Sequence, residues 1–135
     1  MKIAFRLLPG LFAVARLAPD APMPDWCHHG DLISITRTKE ELSIVCAEPP
    51  VPAGVVAERG WRILKLKGPF PLNTVGVLAA FAAPLAAAGV SVLPIGTFDT
   101  DYVLVHSHQL DRALAALAAA GHLLEPDPRR SRRSS

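Results

Sequence analysis

Two short stretches in the second half carry the residues best suited to chemistry: Pro69 to Gly76 (PFPLNTVG) and Phe98 to Asp101 (FDTD). A helix starting in the first stretch presents unpaired backbone N–H groups and the positive end of its dipole. Gly76 in its first turn would let an anion such as an amino-acid carboxylate come close, and Asn73 and Thr74 would add side-chain contacts. Capping by Asn73, with Gly76 serving only helix-to-sheet packing, explains the same residues, and spacing alone favours it. In the second stretch Asp99 and Asp101 stand two residues apart where a strand begins, placed to meet an ammonium or guanidinium group while Phe98 shields one side. Solvated residues closing a hairpin are the alternative, again favoured by pattern alone.

Cys27, His28 and His29, with Cys46, are ligand types suited to zinc. Their spacing matches no usual ligand pair, and adjacent residues rarely hold one ion together, so no metal is expected. His106 and His108 share a strand face but have no third ligand in register. The sequence has no nucleophile elbow, P-loop or dinucleotide fingerprint. Apart from Asp99 and Asp101, in a loop that reads as exposed, there is no acid and base pair. Neither catalysis nor a cofactor is expected.

The elements that position these stretches follow from apolar spacing. Ile3 to Leu7 alternates as a strand, Pro9-Gly10 breaks it, and Leu11 to Leu17 resumes. A proline-rich segment with Trp26 plugging the core edge leads into a hairpin, Leu32 to Thr36 and Leu42 to Cys46, turned at Thr38 to Glu41. A second proline-rich connector, Glu48 to Gly60, precedes the strand Trp61 to Lys67. From Asn73, expected as the helix cap, the period changes: Val77, Leu78, Phe81, Leu85 and Ala88 form one helix face, ended by Gly89. Pro84 inside that helix costs about 3 kcal/mol if unsupported and bends its last turn. Strands Val90 to Ile95 and Tyr102 to His106 follow, then a helix from Gln109 to Ala120 and a short strand at His122 to Leu124.

From Trp61 the order is strand, helix, strand, strand, helix, strand. It fits an α+β, ferredoxin-like βαββαβ sandwich with an antiparallel sheet covered on one face by two helices. Residues 1–60 read as a degenerate copy whose helices have shrunk to turns, residues 61–124 as the complete copy, and residues 125–135 as a disordered Arg/Ser tail. In such a sandwich the first helix start and the loop between the second and third strands approach a shared edge. One site with opposite charges at its two ends results.

At 135 residues and 50% hydrophobic content the chain supports one ordinary core, or two small ones sharing a sheet. Much of that content is alanine, which buries little area, so a homodimer is the natural expectation. Fourteen basic residues face twelve acidic ones, but the tail holds four arginines and two acids, leaving ten of each in a neutral body. A nucleic-acid partner is therefore not expected. Two cysteines make no disulfide framework, which points to cytosolic thiols and a cytoplasmic protein. The apolar start is broken by Pro9-Gly10 and is not expected to be a cleaved signal. The uncharged run Gly68 to Phe98 contains Asn73, Pro84, Ser91 and Pro94 and is too alanine-rich for a membrane span.

The stretches SITRTKEELSIVC and ERGWRILKLKGPFPLNTVGVLAAFAAPLAAAGVSVLPIGTFDTDYVLV together resemble the small bacterial tandem ACT-domain proteins. These are similar to the ACT modules of cytosolic arginine sensors and aspartate kinases. The resemblance spans about Leu8 to Gly121, with the motifs T-x-x-E-L-S-I-V, G-x-x-x-x-x-x-V-G and T-F-x-T-D-Y-V-L-V. It implies two side-by-side ACT folds, no catalysis, and a regulatory protein that binds an amino acid at an interface between ACT units. By position, Asn73, Thr74, Val75 and Gly76 would meet the ligand's backbone groups. Thr97, Phe98 and Asp101 would line the other side, with Asp101 answering positive charge. With a single tandem pair in this chain, a site between pairs would need a second copy. A structural or protein-interaction module with a vestigial pocket is the alternative function.

Overall fold

Apolar spacing of two and of four accounts for most elements of the computed structural model, which describes residues 1–128. The arginine-rich remainder of the expected tail lies outside the described residues. In chain order the elements are β1 (Ala4–Leu7), β2 (Phe12–Leu17), a 3₁₀ turn (Asp25–Cys27), β3 (Ser34–Arg37), β4 (Leu42–Ala47), β5 (Ala57–Leu66), α1 (Val77–Ala87), β6 (Val92–Gly96), β7 (Asp101–His106), a second 3₁₀ turn (Ser107–Gln109), α2 (Leu110–Ala119) and β8 (Leu123–Glu125). They fall into two compact units, Pro9–Trp61 and Met1–Leu8 with Arg62 onward.

In the unit Pro9–Trp61, β3 and β4 form the expected hairpin, with Ser34 opposite Val45 and Arg37 opposite Leu42. Its turn is closed by Thr38, whose Oγ1 accepts the N–H groups of Glu40 and Glu41 at 3.1 Å each. Strand β4 pairs antiparallel with β2, and β2 with the first half of β5. There Phe12 lies opposite Trp61 but Val14 opposite Glu58, so three residues of β5 span two of β2. Gly60, at φ 78°, provides the left-handed residue such a bulge requires. Its N–H donates to a Glu48 carboxylate oxygen at 2.6 Å. Strand β5 thus begins four residues before the expected Trp61, because Gly60, expected as the end of the connector, is a bulge inside the strand. Ala13, Ala15, Cys27, Leu42, Ile44, Cys46 and Val51 make the core, with Trp26 packed against it. A single 3₁₀ turn stands where a complete copy would have helices.

In the other unit, β6 and β7 pair antiparallel from Val92–Val105 to Gly96–Asp101. The strand order is β8-β1-β5-β7-β6. A lone βαββαβ unit would close by setting its last strand against its first. Here β1 lies between them, antiparallel to β5 and parallel to β8. The core joins Ile3, Phe5, Leu64, Leu66, Val103 and Val105 of the strands to Val77, Phe81 and Leu85 of α1 and Ala113 and Leu117 of α2. The α1 residues recur every four positions, as one buried helix face requires. Phe5 and Phe81 meet edge to face at 5.2 Å. Among the described residues no helix is long and apolar enough to cross a membrane.

Pro84 sits inside α1. Lacking an N–H, it cannot donate to the carbonyl of Ala80, four residues back. The buried His122 supplies the missing donor: its Nε2 lies 3.0 Å from that carbonyl, while its Nδ1 accepts the Ile3 N–H at 3.0 Å. Because Nδ1 accepts, the neutral ring carries its proton on Nε2, the tautomer that can donate to Ala80. One side chain thereby completes the ladder that Pro84 interrupts and ties α1 to the start of the chain. His122→Leu is expected to destabilise by about 2–4 kcal/mol in urea unfolding, since a buried N–H and a partly buried carbonyl lose their partner. Pro84→Ala, which restores an N–H to Ala80, should then stabilise the His122→Leu background by about 1 kcal/mol more than it stabilises wild type. Equal gains in both backgrounds would refute the pairing.

Candidate functional site

Backbone contacts bring the β6–β7 loop against the segment that leaves β5. The hydroxyl of Thr100, a buried residue, donates to the Leu66 carbonyl at 2.9 Å. The Phe70 N–H donates to the Asp99 carbonyl at 2.8 Å. A Cβ on Gly68 would stand 2.7 Å from that Asp99 oxygen, so the approach demands glycine. Within the loop, the N–H and the hydroxyl of Thr97 both donate to the Thr100 carbonyl, at 2.9 Å each.

On the opposite side, the Thr74 N–H donates to the Pro71 carbonyl at 2.9 Å and closes a turn. The chain then bends through Gly76 at φ 85°, and α1 begins at Val77. The expected cap, Asn73, is therefore not the cap. Gly76 occupies the N-cap position, and no side chain caps the helix. The reason is local: residues 71–74 are used in their own turn, and the left-handed step at Gly76 separates that turn from the helix. The first-turn N–H groups consequently keep no side-chain acceptor. Ala80 makes the first helical bond, to the Gly76 carbonyl at 2.9 Å.

Between these walls lies a cleft of about 110 Å³. Thr74 and Val77 line it from the helix side, Thr97 to Asp101 from the loop, and Phe70 to Leu72 from the segment between. Of the residues expected to bind, Thr74, Thr97, Phe98 and Asp101 share this cleft. Asn73, Val75 and Gly76 belong to the same turn but do not line it. Phe70, Pro71, Leu72 and Thr100 lie within the two stretches singled out in the sequence but are not named there as contacts, and Val77 reads only as a core position of the helix.

Neither Asp99 nor Asp101 has an ion-pair partner among the described residues, where the pair found is Lys67 with Glu125 at 3.3 Å. Negative charge thus collects on the loop side, opposite the positive end of α1. Around the cleft three large apolar side chains stand in solvent, Leu72 at 73%, Val75 at 88% and Phe98 at 79% exposure. Together they form an exposed apolar patch beside the cleft.

The other candidate groups lie elsewhere. His28 and His29 are exposed, whereas Cys27 and Cys46 are buried free thiols. Burial, and secondarily the neighbouring Cys27, push the Cys46 thiol up to about 11, so it persists as a small apolar thiol at neutral pH. Among the described residues no three His, Cys, Asp or Glu side chains are grouped to hold a metal ion. His106 and His108 stack on each other at 5.4 Å.

Comparison with known proteins fits this geometry. Residues 56–119 match the ACT domain family, and residues 10–54 match a separately defined N-terminal domain. Over 96 residues the chain is 32% identical to the bovine cytosolic arginine sensor for mTORC1 subunit 1, covering 63% of this chain and 29% of that one. The chain thus spans less than a third of that relative's length. A crystal structure of an Agrobacterium tumefaciens protein is 36% identical, with a TM-score of 0.88 over 94% of this chain and 95% of that one. The ligand-free regulatory subunit of aspartate kinase from Thermus thermophilus shares the fold, at 14% identity and a TM-score of 0.60 over 84% and 93% of the two chains. Residues 56–119 belong to the ACT-domain family, in an α+β fold similar to that of the aspartate kinase regulatory subunit.

Proposed function

We propose that the protein is a non-catalytic regulator that binds an amino acid in the cleft between the α1 start and the β6–β7 loop, with a second copy of the chain closing the site. The observation that carries this reading is the opposition of charge across one cleft. Uncapped N–H groups at the head of α1 suit a carboxylate, and the unpaired carboxylates of Asp99 and Asp101 suit an ammonium or guanidinium group. In this reading Asn73, Thr74, Val75 and Gly76 form the donor side, Thr97 and Phe98 the wall, and Asp101 the acceptor. Asn73, Val75 and Gly76 meet the ligand only when the cleft is closed.

Closure by a partner follows from size and exposure. Ligand pockets enclose roughly 300–1,000 Å³, whereas this cleft holds about 110 Å³. The exposed Leu72, Val75 and Phe98 make an apolar rim of the kind a second protein surface buries. The regulatory roles named for the similar sensor and aspartate kinase subunit support the same reading.

Thermal unfolding in the presence of each of the twenty amino acids tests it. The correct ligand at a hundred times its dissociation constant should raise the midpoint by about 5 °C or more. Asp101→Ala should abolish that shift while leaving the ligand-free midpoint within about 2 °C. No shift with any amino acid at millimolar concentration would refute the proposal. A separate outcome concerns closure. Val75→Asp, at an 88%-exposed position, should convert the dimer to a monomer in sedimentation equilibrium and weaken the amino-acid response together with it. A monomeric wild type, or a dimeric variant with undiminished response, would place the missing wall elsewhere.

A further inference from the structure

We propose that a second cleft in the unit containing α1 and α2 binds a small organic dianion, a phosphate monoester or a dicarboxylate. It encloses about 320 Å³ and is lined by Arg6, Lys65 and Lys67, with Glu125 and walls that include Leu66 and Pro126. The strand registers explain why these charges converge. Arg6 of β1 lies opposite Lys65 of β5 and, on its other side, opposite Glu125 of β8. Residues directly opposite across neighbouring strands emerge on one face, so Glu125, Arg6 and Lys65 form a row across three strands. Lys67, two residues beyond Lys65, projects to the same side.

The Glu125 carboxylate does not neutralise that row. It pairs with Lys67 at 3.3 Å, and neither Arg6 nor Lys65 has an ion-pair partner among the described residues. The ammonium of Lys65 rests 5.8 Å from the centre of the Tyr102 ring, a contact that leaves its charge intact. Like charges directly opposite each other in a ladder are destabilising. Three cations and one carboxylate leave two positive charges over an apolar-walled cavity of ligand size. The planar Arg6 fork matches a phosphate or carboxylate through paired hydrogen bonds, and the lysines act as point charges beside it. This site shares no lining residue with the amino-acid cleft and stands independently of it.

Calorimetric titration of the full chain with glycerol 3-phosphate and with succinate, at low ionic strength, tests the proposal. At least one probe should bind saturably with one site per chain, and the one that binds identifies the head group. Lys65→Ala and Lys67→Ala should each weaken binding about tenfold, the loss expected for one charge-assisted contact. Glu125→Gln should instead tighten it, because it removes the carboxylate that lines the cleft and frees Lys67. Neither probe binding, Lys65→Ala binding as wild type does, or Glu125→Gln binding more weakly would each overturn it. Binding of long polyanions such as heparin, with neither probe recognised, would likewise overturn it in favour of a diffuse basic surface.

Discussion

A single buried hydroxyl holds the cleft together. Thr100 donates to the carbonyl of Leu66, the last residue of β5, and so fastens the β6–β7 loop to the strand from which the helix approach departs. Such a bond contributes about 1 kcal/mol net, but losing it would strand a buried carbonyl at a cost of roughly 1–3 kcal/mol. The neighbouring Phe70 to Asp99 bond and the bare α-carbon of Gly68 complete the attachment. Asp99 and Asp101 are therefore carried on backbone fixed at both sides. In the proposed binding mode, backbone so held would need little ordering, and affinity would gain by the entropy not lost.

Helix α1 shows the same economy from its other end. Pro84 frees the partly buried carbonyl of Ala80, and the protein answers it with the buried His122. Gly76 leaves the N–H groups of the first turn without a side-chain cap at the surface, and the protein does not answer them. Both are interruptions of helical bonding, yet they receive opposite treatment. In the interior an orphaned carbonyl costs stability, so it is paired. At the cleft the first-turn donors keep no side-chain acceptor, an arrangement that suits an anion.

Most of the fold was legible because its signals are local. The Thr38 to Glu41 turn, the four-residue spacing of Val77, Phe81 and Leu85, and the glycines ending both helices specify their elements without reference to the rest of the chain. What escaped is non-local. Gly60 reads as the end of a connector, and only pairing with β2 reveals it as a bulge inside β5. Nothing in the residues of β1 announces that the first strand lies between β5 and β8, since strand order is a property of the assembled sheet. The loop half of the cleft was legible through its acidic pair. The helix half was displaced by three residues, because Asn73 is a better cap than glycine by propensity and only the turn closed by Thr74 and Pro71 excludes it.

Composition and geometry bear on closure from different directions. An alanine-rich chain buries little area per residue, so this unit relies on few large side chains, Phe5, Phe81, Leu64, Leu66, Leu85 and Leu117 among them. Against that economy Leu72, Val75 and Phe98 are conspicuous, since they are large apolar groups placed in water beside the cleft at the head of α1. Burying them would release roughly 25 cal/mol for each Å² of apolar surface removed from water. The same burial would lower the local dielectric and strengthen both the helix-end and the Asp101 contacts with a bound zwitterion. A covering surface would thus supply association energy and ligand affinity through the same contacts. Occupancy of the cleft and assembly of the protein would then be linked, each favouring the other by an equal free energy.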